Sequence, residues 1–158
     1  MPTWWGYVVF YFPLGVVGIW RWSVWLIKKW YAVQYRPQTG DFEAPVAVVT
    51  PVYNEDPRVF QRALTSWKDN GVVEVVAVID HTDAACIAVF KKFSAVFPGA
   101  RLVVTTIPGK RPALAQGVRL TAQPFVALVD SDTVWSPGVR AAALVSFADP
   151  AVGGVATR

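Results

Sequence analysis

The sequence is poor in several things that would each suggest a particular chemistry. It has one cysteine, Cys86, and one histidine, His81, in 158 residues. A single cysteine excludes an intrachain disulfide framework and fits a reducing compartment. Cys86 falls inside an expected helix, with His81 five residues away on a loop. A buried, inert thiol is therefore expected rather than a Cys/His nucleophile pair. No Gly-x-Gly-x-x-Gly follows the first strand and no Gly-Lys-Ser/Thr occurs anywhere, so dinucleotide-fingerprint and P-loop chemistry are both excluded. Internal repeats and low-complexity tracts are also absent.

Charge is scarce and unevenly placed. Charged residues make up 16% of the chain against 54% hydrophobic. No Asp or Glu precedes Asp41, whereas Arg21, Lys28, Lys29 and Arg36 all lie before residue 37. The other eleven basic residues are matched by all eleven acidic ones, so residues 37–158 are formally neutral. The pI near 9.4 thus comes from one short segment. No basic stripe interleaved with aromatics continues beyond it, and no nucleic-acid partner is expected.

That segment is also where the aromatics gather. Trp4, Trp5, Trp20, Trp22, Trp25 and Trp30 are six of the eight tryptophans. Residues 4–27 reach the length of about twenty residues that a bilayer-crossing helix needs, with Pro13 as a tolerated kink. Trp4 and Trp5 at one end, and Trp22, Trp25, Trp30 and Tyr31 at the other, suit interfacial belts. Arg21 can snorkel from near the end. Lys28, Lys29 and Arg36 would set the following domain on the cytoplasmic side of the plasma membrane. No basic residue precedes the apolar run and no small-residue cleavage site follows it, which argues against a signal peptide. The expected organisation is a transmembrane anchor with its basic flank (1–36), a linker (37–45) and one α/β domain (46–158). An in-plane interfacial helix and a buried core helix are the alternatives for the first segment.

From residue 46 onward strand and helix patterns alternate. Val46–Thr50 is a β-branched run suited to a strand buried on both faces. Asp56-Pro57 reads as a helix cap followed by proline at the first helical position. Val59, Phe60, Ala63, Leu64 and Trp67 repeat at helical spacing, and Gly71 closes the helix. Val72–Ile79 is the second strand. Thr82 or Asp83 caps a helix carrying Ile87, Phe90, Phe93 and Phe97, which Pro98-Gly99 stops. Leu102–Ile107 is the third strand, Pro112 opens a helix to about Ala122, and Phe125–Val129 is the fourth strand. Pro137 starts a helix to about Phe147, and Ala151–Ala156 is expected to begin a further strand. Such alternation specifies βαβ units and a mostly parallel sheet.

Open parallel sheets bind ligands beyond the carboxyl ends of their strands, and the distinctive polar residues fall there. Asn54-Glu55-Asp56 follows strand one, Asp80-His81 strand two, Gly109-Lys110-Arg111 strand three, and Asp130-Ser131-Asp132 strand four. Carboxylates converging with a basic pair suit a nucleoside diphosphate with Mg2+ or Mn2+, which need hard oxygen ligands and share them with phosphates. One Asp of the triplet can serve the metal and the other a ribose or base, while Lys110 or Arg111 offsets phosphate charge. Plainer roles compete. Asp56 and Asp83 suit helix caps, Lys91-Lys92 a solvated helix face, and Arg111 an exposed position before Pro112.

The stretches VAVVTPVYNED (46–56), VVEVVAVID (72–80), PGKRPALAQGV (108–118), VALVDSDT (126–133) and VGGVATR (152–158) resemble family 2 glycosyltransferases. They are most similar to the processive membrane polysaccharide synthases of the hyaluronan, chitin and cellulose type, over residues 44–158. The resemblance implies a Rossmann-like GT-A fold and transfer from a nucleotide-sugar donor, commonly a UDP-sugar, to a glycan or lipid-linked acceptor. It assigns donor contacts to Pro51, Tyr53, Glu55, Asp80, Lys110 and Asp130, and the metal to Asp132 with Asp130. His81-Thr82 depart from the acidic, Gly-Ser continuation that family often shows after the second strand. The general base that inverting transfer requires has no match among these residues and is expected beyond Arg158, which makes this an incomplete GT-A domain. Two other readings stay open: a non-catalytic nucleotide-sugar-binding module, and a haloacid-dehalogenase-type phosphatase suggested by Asp130-Ser-Asp132-Thr-Val134.

Overall fold

The computed structural model describes residues 4–34, 36 and 39–156. The chain forms two units, Met1–Pro37 and Gln38–Arg158.

The first unit is a single helix, α1 (Trp4–Gln34, 31 residues). Its tryptophans are exposed, stacked in the pair Trp4–Trp5 and edge-on in Trp22–Trp25. The Lys29 ammonium lies 5.7 Å from the centre of the Trp25 ring. Among the described residues no helix is long and apolar enough to cross a membrane. The expected transmembrane anchor is corrected accordingly. Much of what counted as apolar length is Trp, Tyr and Gly, and Trp and Tyr prefer the membrane–water interface to the hydrocarbon centre. Arg21, Lys28 and Lys29 dilute the rest.

The second unit carries four strands: β1 (Val46–Val52), β2 (Glu74–Asp80), β3 (Ala100–Thr105) and β4 (Phe125–Leu128). All pair in parallel in the order β3-β2-β1-β4. The helices between them are α2 (Pro57–Asp69), α3 (Ala84–Ser94) and α4 (Lys110–Val118), and α5 (Val139–Leu144) runs on into a 3-10 turn, Val145–Ala148. This is the expected α/β architecture of the Rossmann-like kind.

Period-two alternation sorts the strand residues onto two faces. Val48, Val52, Val75, Ala77 and Ile79 pack against Phe60, Leu64 and Trp67 of α2 and Phe90 of α3. Val49, Val76 and Val78 pack against Ala113 of α4 on the other face. Fully burying each large side chain contributes roughly 1.5–3 kcal/mol, and Trp67, Phe60 and Phe90 are the largest of them. Gly117 permits the approach of α4, because a Cβ there would lie 2.4 Å from Val49 Cγ1.

Local signals explain the element ends. Asp56 caps α2 by accepting from the Arg58 N–H at 2.8 Å, and Gly71 takes φ +76° just after it. Asp83, rather than Thr82, caps α3, accepting from the Cys86 N–H at 3.1 Å. β3 begins and ends two residues earlier than Leu102–Ile107, since the Thr105 hydroxyl takes the Ile107 N–H and turns the chain out. α4 starts at Lys110 behind Gly109, so Pro112 sits within the first turn, where its missing N–H is not needed. It stops at Val118 instead of near Ala122. α5 starts only after Pro137 and the left-handed Gly138. Ala151–Ala156 forms no strand; Val152–Ala156 lies instead along a groove beside β4, without the ladder partner that a strand requires.

Candidate functional site

In chain order β1, β2 and β3 step outward in one direction, and β4 then returns to the opposite side of β1. Because all four strands are parallel, the loops that leave them share one edge, and a crevice lies at the carboxyl ends of the strands. A cavity of about 790 Å³ lies there. Pro51, Tyr53, Glu55, Asp80, Lys110, Asp130 and Asp132 all line it. Four segments far apart in sequence thus bring every expected site residue to one place. Arg111 and Asp56 are not part of the lining.

Pro51 is in β1, opposite Val78 of β2. Tyr53 follows with its side chain largely exposed, and Asn54 takes a left-handed φ of 51° that turns the chain toward α2. The Glu55 carboxylate accepts from the Ser131 hydroxyl at 2.9 Å and from the Asp56 N–H at 2.9 Å. Its own N–H donates to Asp83 Oδ2 at 3.3 Å. Glu55 thereby ties the β1 loop both to the acidic triplet and to the cap of α3.

Asp80 ends β2. Its Oδ1 accepts from the Thr82 hydroxyl at 2.6 Å and the Thr82 N–H at 2.9 Å, with His81 Nδ1 at 3.4 Å. The Thr82 hydroxyl, then its backbone N–H, hold the Asp80 carboxyl below its ordinary value against a small opposing effect of burial, and His81 adds to the lowering. Lys110 Nζ stands 2.5 Å from Asp130 Oδ1, and both side chains are more than half exposed. Lys110 is also the first residue of α4, whose Gly109 cap has no side-chain acceptor for the first-turn N–H groups. Cation and free amides together make that corner receptive to anions.

The triplet is held from behind. Ser131 is buried, and Thr133 closes a turn on the Asp130 carbonyl at 3.1 Å. The buried Trp67 indole N–H donates to the Thr133 carbonyl at 2.9 Å, and the Trp135 N–H donates to the Ser66 hydroxyl at 3.0 Å. Asn70 reaches the Ser136 carbonyl at 3.2 Å. Sequence reasoning treated Trp67 only as apolar and Ser131 only as a spacer. The signal for Trp67 was its indole N–H, which needs a partner when the ring is buried.

Among the described residues no group of three or more His, Cys, Asp or Glu is placed to hold a metal ion. The triplet offers two exposed carboxylates, and Lys110 already sets a positive charge against one of them. This donor set fits a hard divalent cation that takes its remaining ligands from phosphates and water. Cys86 is buried as expected; burial first, and then Asp83, push its thiol up to about 12.

Comparison with known proteins agrees with this arrangement. No curated protein matches the chain. Among solved structures it is similar to a mannosyltransferase, PcManGT, from Pyrobaculum calidifontis, in complex with GDP-Man and Mn2+. The TM-score is 0.67 at 23% identity, over 90% of this chain and 42% of that one. The likeness shows the fold, and this chain spans less than half of that protein's length. The phosphatase reading of Asp130–Val134 finds no support, since Asp130 follows the fourth strand rather than opening the domain. A family model described as "Glycosyltransferase like family 2" matches residues 44–158, so the chain belongs to that glycosyltransferase-like family.

Proposed function

We propose that this chain carries the donor-binding part of an inverting glycosyltransferase of the polysaccharide-synthase type. The donor is a nucleoside-diphosphate sugar, with a UDP-sugar as the first choice, and the acceptor a glycan or lipid-linked sugar. The observation that carries the reading is the convergence of Glu55, Asp80, Lys110, Asp130 and Asp132 around one cavity at a strand-order reversal. In this reading Asp80 receives the nucleobase, while Pro51 and Tyr53 form the wall beside it. Glu55 steadies the loop through Ser131. Lys110 and the first turn of α4 take the diphosphate, with Lys110 leaving Asp130 as the phosphates arrive.

Asp132 and Asp130 would hold Mg2+ or Mn2+. Such an ion offsets the charge that develops on the departing nucleoside diphosphate. The exposed tryptophans of α1, with Arg21, Lys28 and Lys29, support engagement of the cell-membrane interface, with the α/β domain on the cytoplasmic side. Titration of UDP with MnCl2 into wild type and Asp132→Asn tests the site. Affinity should fall about tenfold in the variant, the order expected for losing a charged contact. Equal affinity in both would remove the metal role.

A further inference from the structure

The turn after β2 lines the cavity, and its hydrogen bonding bears on which base the site accepts. Asp80 uses one carboxylate oxygen three times over. Oδ1 faces the Thr82 hydroxyl, the Thr82 N–H and His81 Nδ1, at 2.6, 2.9 and 3.4 Å. Oδ2 accepts no hydrogen bond among the described residues. The side chain is only 14% exposed, and Asp80, His81 and Thr82 all line the cavity. The turn itself is fixed from both sides: the His81 N–H donates to the Thr105 carbonyl at 3.0 Å, and the Asp83 N–H to the Asp80 carbonyl at 3.0 Å. The carboxylate therefore cannot rotate freely. It presents one oxygen to a ligand.

Nucleobases differ in how many adjacent N–H donors they offer such a group. Guanine presents N1–H and N2–H side by side, a pair that a carboxylate satisfies with both oxygens. Uracil presents the single N3–H between two carbonyls, which repel a second carboxylate oxygen. We infer that Thr82 is a specificity-determining residue of the donor site, acting through Asp80 by locking it into one-oxygen recognition that selects a uracil-type imide over guanine. This rests on the reading of the cavity as the donor site. Thr82 is a positioning residue here, since its hydroxyl is spent on Asp80 and need not touch the base.

The test is calorimetric titration of UDP and of GDP, each with MnCl2, into the whole chain as wild type, Thr82→Val and Thr82→Ser. Thr82 is exposed, and circular-dichroism melting checks that each variant folds. Wild type should bind UDP about tenfold more tightly than GDP, the worth of one well-made contact. Thr82→Val removes the shortest of the three contacts on Oδ1 while keeping the backbone N–H. It thereby loosens the carboxylate and should shrink that ratio to about threefold or less, and Thr82→Ser should restore it. A wild type that prefers GDP, or a ratio that Thr82→Val leaves unchanged, overturns the assignment of Thr82 and leaves the donor site standing. A wild type that binds neither nucleotide overturns both.

Discussion

Two ion pairs stand at opposite ends of the same sheet. At the amino ends of the strands, Glu74 opens β2, and its carboxylate meets Arg101 Nε at 2.6 Å and the Thr121 hydroxyl at 2.6 Å. Glu74 is 5% exposed, and Arg101 also donates to the Leu120 carbonyl at 3.2 Å. At the carboxyl ends Lys110 meets Asp130 at 2.5 Å with both partners open to solvent. Both are basic–acidic pairs, yet they serve opposite ends. In the first the acid is buried while Arg101 lies open to solvent, and the pair joins β2, β3 and the segment before β4. The second is held only by the pairing itself, so an arriving phosphate or cation can replace either partner. Burial of the acid, 5% exposed in Glu74 and 54% in Asp130, separates a structural pair from one poised for binding.

The comparison can be broken from either side. The largest effect is expected from Arg101→Met, which leaves the buried Glu74 carboxylate without its cation. Unfolding free energy from urea denaturation should fall by about 2 kcal/mol, the order for a buried acceptor left unsatisfied. That is less than for a pair buried on both sides, since Arg101 is exposed, and UDP affinity should be unchanged among folded molecules. Lys110→Met should do the reverse. Exposed pairs contribute about 0–1 kcal/mol, so its melting temperature should barely move while UDP affinity drops on the order of tenfold. A Lys110 variant that destabilises as much as the Arg101 variant would end the distinction.

The smallest effect concerns the thiol beneath the site. Cys86 is raised from 9.0 to about 12 in the folded chain, so between those values the unfolded state gives up a proton that the folded state keeps. Stability should therefore decline as pH rises through 9, and be unaffected by Cys86 below it. Cys86→Ala should flatten that alkaline decline, and DTNB should label the native wild type only as fast as it opens. Rapid labelling at pH 8 would contradict a buried thiol.

Much of this molecule could be read along the chain. The alternation of strands and helices, the Asp56-Pro57 cap and the Gly71 stop all depend on residues close in sequence, whose preferences are local. Placing Glu55, Asp80, Lys110 and the Asp130–Asp132 triplet at strand ends needed only those boundaries, together with the rule that parallel strands share one carboxyl edge. The amphipathic stripe of α2 was plain for the same reason.

Other features required neighbours from elsewhere in the fold. β3 shifted by two residues because its register is set against β2, and the Thr105 hydroxyl then ends it. The Ala151–Ala156 stretch has strand-like composition, but a strand exists only where another edge pairs with it. Apolar counting along residues 4–27 suggested a span, whereas among the described residues no helix is long and apolar enough to cross a membrane. The sequence by itself determined which residues reach the ends of the strands. Tertiary structure alone decided that Ser131 would hold Glu55 and that Trp67 would brace Thr133. Hydrogen bonds between side chains depend on distances that local preference does not set, and the packed sheet does.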